Sequence, residues 1–120
     1  MSNIESFKQG EDLTAAIGLG VKMDTGDMEV TKCGANAKCL GVVYKNPDNT
    51  DDGVAVQTAG IVVCLAGGAI TNQAEVITDK DGAFVVSTPT NKDNIFGKAL
   101  ESANSGEFFK VLIQPYQANV

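Results

Sequence analysis

Glu75-Val76-Ile77-Thr78, Asp79-Lys80-Asp81-Gly82, Ala83-Phe84-Val85-Val86: this stretch sets two β-branched runs on either side of a polar turn. Val and Ile suit a pleated, half-buried surface, and Asp-Gly supplies the positive φ that a tight reversal needs. The stretch predicts a hairpin. Asp79-Lys80-Asp81-Gly82 also resembles the opening of a calcium loop, but Thr90 stands where the closing bidentate Glu would have to be. Outward from here, short apolar runs and turn residues alternate at roughly the 8–12-residue spacing of all-β domains. The expected strands are Leu19–Met23, Met28–Lys32, Leu40–Lys45, Val54–Thr58, Gly60–Ala66, Glu75–Thr78, Ala83–Thr88, Phe96–Leu100 and Glu107–Ile113. Leu19, Val21 and Met23 share one face, as do Phe109, Val111 and Ile113, and this period of two marks strands with one buried face. Ile61-Val62-Val63-Cys64-Leu65 is continuously apolar, predicting a central strand buried on both faces. The expected core is Val21, Val30, Val42, Val56, Val63, Val76, Val85, Leu100, Val111 and Ile113.

The chain also matches itself. Ala16-Ile17 aligns with Ala69-Ile70, Val21 with Val76, Val30 with Val85, and Leu40-Gly41-Val42 with Phe96-Gly97-Lys98. Gly53 aligns with Gly106 and Val56 with Val111, at offsets between 53 and 56 residues throughout. Two similar halves predict a small β-barrel or β-sandwich with few open edges. Residues 1–12 read as an extended N-terminal arm, 13–115 as one all-β domain and 116–120 as a tail. Ile4 and Phe7 are isolated apolar anchors in that polar first stretch, consistent with an arm that orders on a neighbour or with a frayed end. Asn46-Pro47-Asp48-Asn49-Thr50-Asp51-Asp52 is a loop without apolar anchors, read as mobile.

Composition excludes several classes of function. Net charge is −6, and all nine basic residues are Lys. Without Arg or a basic stripe, nucleic-acid binding is not expected. The longest apolar run, Gly60 to Ile70, is too short for a membrane helix, and no signal peptide is visible. With no His, the usual general base and the Ser-His and Cys-His pairs are missing. The carboxylates fall mostly in turns, and no phosphate loop occurs. No enzyme, cofactor or metal is expected. Three cysteines are an odd count, read as a buried Cys64 and free thiols at Cys33 and Cys39, made in a reducing cytoplasm.

One succession carries a resemblance. Gly60-Ile61-Val62, Ala66-Gly67-Gly68-Ala69-Ile70-Thr71, Glu75-Val76-Ile77-Thr78-Asp79, Asp81-Gly82, Phe96-Gly97-Lys98-Ala99-Leu100-Glu101-Ser102-Ala103, Ser105-Gly106-Glu107 and Val111-Leu112-Ile113 follow in order. This resembles the capsid decoration, or head cement, proteins of tailed phages; Gly41-Val42-Val43 and Gly53-Val54-Ala55-Val56 extend it more loosely into the first half. The resemblance implies a non-enzymatic homo-oligomer, a trimer rather than a dimer, on the virion exterior. Its partner would be the major capsid protein, and its role to brace the coat shell. The expected contact residues are Ile4, Phe7, Asn46, Asp48 and Asp51. Two alternatives accompany it: a lipoyl-type carrier modified at Lys80, and a head-fibre or adhesin base.

Overall fold

The computed structural model describes residues 4–87 and 94–117, with side chains through Gln114. The expectations on Met1–Asn3, Thr88, Thr90 and the last three residues of the tail lie outside these. Ten strands and no helix form among the described residues: β1 (Ile4–Gln9), β2 (Gly20–Met23), β3 (Glu29–Lys32), β4 (Gly41–Lys45), β5 (Val54–Gln57), β6 (Ile61–Leu65), β7 (Glu75–Thr78), β8 (Phe84–Val86), β9 (Asn94–Ala99) and β10 (Phe108–Gln117). The first five close into a barrel in the order β1-β3-β2-β4-β5. The last five make a sheet in the order β6-β10-β9-β7-β8. The all-β class and the two halves both hold.

The halves share their register. Gly20 and Val21 of β2 pair with Val42 and Gly41 of β4; in the second half Glu75 and Val76 pair with Lys98 and Gly97. Gly41 and Gly97 have the same reason to be glycine. A Cβ on Gly41 would run into the Gln57 carbonyl and lie 2.9 Å from Val56 Cγ1. On Gly97 it would run into the Leu112 carbonyl and lie 2.9 Å from Val111 Cγ1. One match shifts. Met23 pairs with Val30 and Thr78 with Phe84, so Val30 corresponds to Phe84 and not to Val85. Val30 and Phe84 are both fully buried, whereas Val85 is half-buried, because a one-residue slip turns a side chain to the other face.

Closure differs between the halves. In the first, β1 pairs with β5 at four positions and runs parallel to β3 through Lys8↔Glu29 and Gln9↔Val30. In the second, the corresponding contact is a single parallel bridge, Ala66↔Phe84. The first half is shut and the second is nearly so.

Each half has its own core. Phe7, Leu13, Val21, Val30, Val43, Val54 and Val56 fill the barrel. Val42, Val62, Val76, Phe84, Phe96, Phe109 and Val111 are among those filling the second half, where the Phe84 and Phe96 rings lie 5.0 Å apart. Val42 and Val43 are neighbours in β4 yet serve different cores, because successive side chains leave opposite faces of a strand. The strand buried on both faces is therefore β4, not the continuously apolar segment predicted for that place. β6 is an edge strand with burial alternating along it; Val63 is 50% exposed and Leu100 40%, and Ile113 is half-buried.

The seam carries a buried hydroxyl at Thr78. Thr78, 1% exposed, donates its hydroxyl to the Gly34 carbonyl at 2.8 Å and accepts from the Ala37 N–H at 3.3 Å. The Asn36 N–H donates to the Thr78 carbonyl at 2.8 Å. The loop so held turns back at Asn36, where φ is 52°. That reversal brings the Cα atoms of Cys33 and Cys39 to 6.3 Å, within bridging range. These two cysteines form a disulfide and are not free thiols; Cys64 is the free, buried one.

The N-terminal segment is not an extended arm. Ile4–Gln9 is a barrel strand, and Phe7 is 8% exposed inside the barrel core. Its alternation was masked because Glu5, on the same side as Phe7, lies exposed at the end of the strand.

Candidate functional site

β6 presents apolar side chains on both faces. Val62 and Cys64 point into the core, while Ile61 and Val63 are exposed at 54% and 50%. Next to it on β10, Phe108 pairs with Leu65 and is itself half exposed. The strand holding the same place in the first half, β1, shows Ser6 and Lys8 to solvent. The fold therefore does not require an apolar outer face here. The second half has one at Val63 and Leu65, where β1 carries Ser6 and Lys8.

Beside this face lies a groove of about 530 Å³ between β6 and β4. Val42, Val43 and Val62, each 1% exposed, floor it. Ile17, Tyr44, Gln57, Ile61, Val63 and Phe108 complete its lining. Ile17 is held there because its N–H donates to Asn46 Oδ1 at 2.7 Å and Gly18 N–H donates to the Val43 carbonyl at 3.0 Å. Gly18 packs tightly against Phe108: a Cβ on it would come within 2.8 Å of the ring. No Asp, Glu or Lys lines the groove. Beneath its floor, burial pushes the Cys64 thiol well above its ordinary range, leaving it protonated and unreactive.

Backbone polarity along β6 follows from its ends. The Ala66 N–H donates to the Glu107 carbonyl at 2.8 Å, and the Ile113 N–H to the Gly60 carbonyl at 3.0 Å. Antiparallel alternation then turns the backbone groups of Val62 and Cys64 toward β10, and those of Ile61, Val63 and Leu65 the other way. On that open side the Leu65 N–H donates to the Gly18 carbonyl at 2.9 Å, and Gln57 Nε2 donates to the Ile61 carbonyl at 3.0 Å. Between these two ties, neither the N–H nor the carbonyl of Val63 has a bonding partner among the described residues.

The residues expected at a contact surface are not brought together here. Phe7 is in the core, and half-buried Ile4 pairs with Gln57 in the barrel. Asp48 and Asp51 are exposed on the loop after β4, and Asn46 anchors Ile17. That loop is tied down: Gln9 Nε2 donates to the carbonyls of Asn49 and Asp52, both at 2.8 Å. Lys80 is exposed at the predicted hairpin. There Asp79 Oδ1 accepts from the N–H groups of Asp81 and Ala83 at 2.8 and 3.1 Å, and Gly82 adopts φ 86°. The Asp79 carboxylate is thus engaged in shaping the turn. Reading the sequence missed Tyr44, Ile17 and Phe108. The available signal was the unbroken apolar run of β6, whose second face this chain does not cover.

Comparison with known proteins gives three findings. A family described as phage cement protein matches residues 7–114. Among solved structures, the head fiber gp8.5 N base of bacteriophage phi29 is similar over 100% of both chains, with a TM-score of 0.75 and 21% identity. At that identity the likeness concerns the fold. No curated protein matches in sequence.

Proposed function

The chain belongs to the phage cement protein family, and from that premise we propose that it binds the major capsid protein on the outside of an assembled phage head and braces the shell without catalysing a reaction. The family match over residues 7–114 carries this reading. The physical demands of such work suit the chain: a rigid scaffold with nearly closed halves, and identical weak contacts repeated over a symmetric lattice. A homo-oligomer, a trimer before a dimer, would engage several coat subunits at once. The acidic net charge of −6 favours docking on a basic coat surface, with Asp48 and Asp51 on the exposed loop as contacts and Asn46 and, apart from them, Ile4 as further ones.

The test is co-sedimentation with capsids of the encoding phage from which the protein has been stripped, together with capsid melting. Binding that saturates at a fixed ratio to coat protein and raises the melting temperature of the shell supports the reading. Absence of binding refutes it. A second reading, the base of a head fibre, draws support from the fold shared with the phi29 head fiber N base. Cryo-electron microscopy of the virion separates the two: a cement protein ends at its own density, whereas a fibre base carries a projection.

A further inference from the structure

The loop between β3 and β4 belongs to the first half, yet its tip is bonded to the second. Besides its contacts with Thr78 of β7, Asn36 Oδ1 accepts from the Asn94 N–H at 2.6 Å. Asn94 Nδ2 donates in return to the Asn36 carbonyl at 2.8 Å. One loop thus holds both β7 and the start of β9. At its foot the Cys33 N–H donates to the Gly20 carbonyl at 2.9 Å. Cys39 packs against the second core, and a Cβ on Gly20 would come within 3.0 Å of both Cys39 Sγ and Thr78 Cγ2. The Cys33–Cys39 bridge spans a sequence separation of 6. It closes the base of a clamp whose tip grips the other half.

A cross-link of this kind restricts the unfolded chain. It also restricts this loop in the folded state: with the bridge open, ordering the tip on Thr78 and Asn94 costs more conformational entropy. The two sulfurs are unequally placed. Cys33 is 1% exposed and Cys39 half-buried, so a reagent from solvent meets Cys39 first. Cys64, fully buried in the second core, takes no part.

We propose that Cys33 and Cys39 make a redox-set clamp, open as two thiols in the reducing host interior and closed by exchange with a small-molecule disulfide once the virion is outside. The Cys39 thiolate attacks that disulfide and expels one of its sulfurs as a thiolate. Cys33 then attacks the Cys39 sulfur of the mixed disulfide and expels the second. The small disulfide takes up the two electrons, and the two cysteine protons go to the thiolates released. This rests on the phage reading above and adds that the joint between the halves stiffens on release.

The free protein tests the clamp. Oxidised wild type melted with and without a phosphine reductant should lose about 5–10 °C on reduction. Cys39→Ser should melt near the reduced wild type and ignore the phosphine; should it not fold, the wild-type comparison decides alone. A cycle with Thr78→Val separates gripping from cross-linking in general: its fall in midpoint should be larger in the oxidised protein than in the reduced one. The encoding phage tests the switch. Alkylation in infected cells before lysis should label both Cys33 and Cys39. Protein from purified virions should resist labelling there and be lighter than the reduced chain by two hydrogens.

An unchanged midpoint on reduction overturns the clamp, as does an equal Thr78→Val loss in both forms. A bridge already closed before lysis, or still open in the virion, overturns the switch. The melting arms need no capsid, so their failure leaves the capsid reading standing. If the protein is missing from the virion, the capsid reading fails, and the closing step on release fails with it.

Discussion

Thr78→Val is the sharpest probe of how the halves are joined. The substitution keeps the side-chain shape and removes the hydroxyl that bonds both the Gly34 carbonyl and the Ala37 N–H. Thr78 is 1% exposed, so water does not readily replace it. Each such bond contributes a net of about 0.5–1.5 kcal/mol, and a buried partner left unsatisfied adds to the loss; together they amount to about 1–3 kcal/mol. For a domain of this size a loss of 1 kcal/mol lowers the melting temperature by about 3–6 °C. Calorimetry and guanidinium titration should show the lower midpoint with an unchanged slope, because the surface exposed on unfolding is the same. Thr71→Val, at an exposed position, is the control. If Thr78→Val stays within about 0.5 kcal/mol of wild type, the hydroxyl does not hold the seam, which then rests on packing at Val42 and on the backbone bonds that cross it, such as Gly20 N–H to the Gly82 carbonyl at 2.8 Å.

Val62→Ala should destabilise by about 1–3 kcal/mol and Val63→Ala by less than about 0.5 kcal/mol, since the first is buried and the second half exposed; equal losses in chemical denaturation would mean that β6 is covered on both faces. Gly41→Ala and Gly97→Ala should each lose about 1–3 kcal/mol by overcrowding the facing strand, and a harmless change at either would refute the shared register. Deleting Met1 to Gly10 removes the strand paired with β5 and takes Phe7 from the core, so the truncated chain should lose its cooperative melting transition. The Asp12 carboxyl is held below its usual range, first by the Thr14 hydroxyl and then by the Thr14 N–H. Its contribution is therefore present above the ordinary carboxylate pKa and lost as pH falls through the lowered one; in an NMR titration, Thr14→Ala should move the Asp12 midpoint upward.

Strand positions were legible because local chemistry decides them. Val21, Val56, Val76 and Val111 stand in short β-branched runs at buried alternate positions, and Asp81-Gly82 favours a reversal. The duplication was legible for the same reason, since Gly41 and Gly97 stand at equivalent close approaches. Three things were not legible. The first strand hides behind Glu5, a charge on the side of Phe7, and its pairing with β5 spans most of the first half, which no local pattern records. The Cys33–Cys39 disulfide depends on the turn at Asn36. The third was β6, where Ile61 to Leu65 satisfied the pattern for a strand buried on both faces while β4, bounded by Tyr44 and Lys45, did not. The pattern reports apolar surface; it does not say whether the cover comes from the same chain.

The unequal closure of the halves has a dynamic consequence. In the barrel, opening any strand breaks a ladder on each side, so its amides should exchange only through global unfolding. In the second half, β8 is joined to β7 on one side and to the β6 end only by the Ala66 bridge and the Gly67 N–H bond to the Phe84 carbonyl at 2.8 Å. β8 can part from the β6 end for the loss of those few links while β7 stays paired with β9, a local opening at lower free energy than any in the barrel. Hydrogen exchange should therefore separate a stiff half, with β2 to β5 amides at the global limit, from a yielding half in which the β8 amides exchange first. The yielding half is also the one whose edge strand stands open.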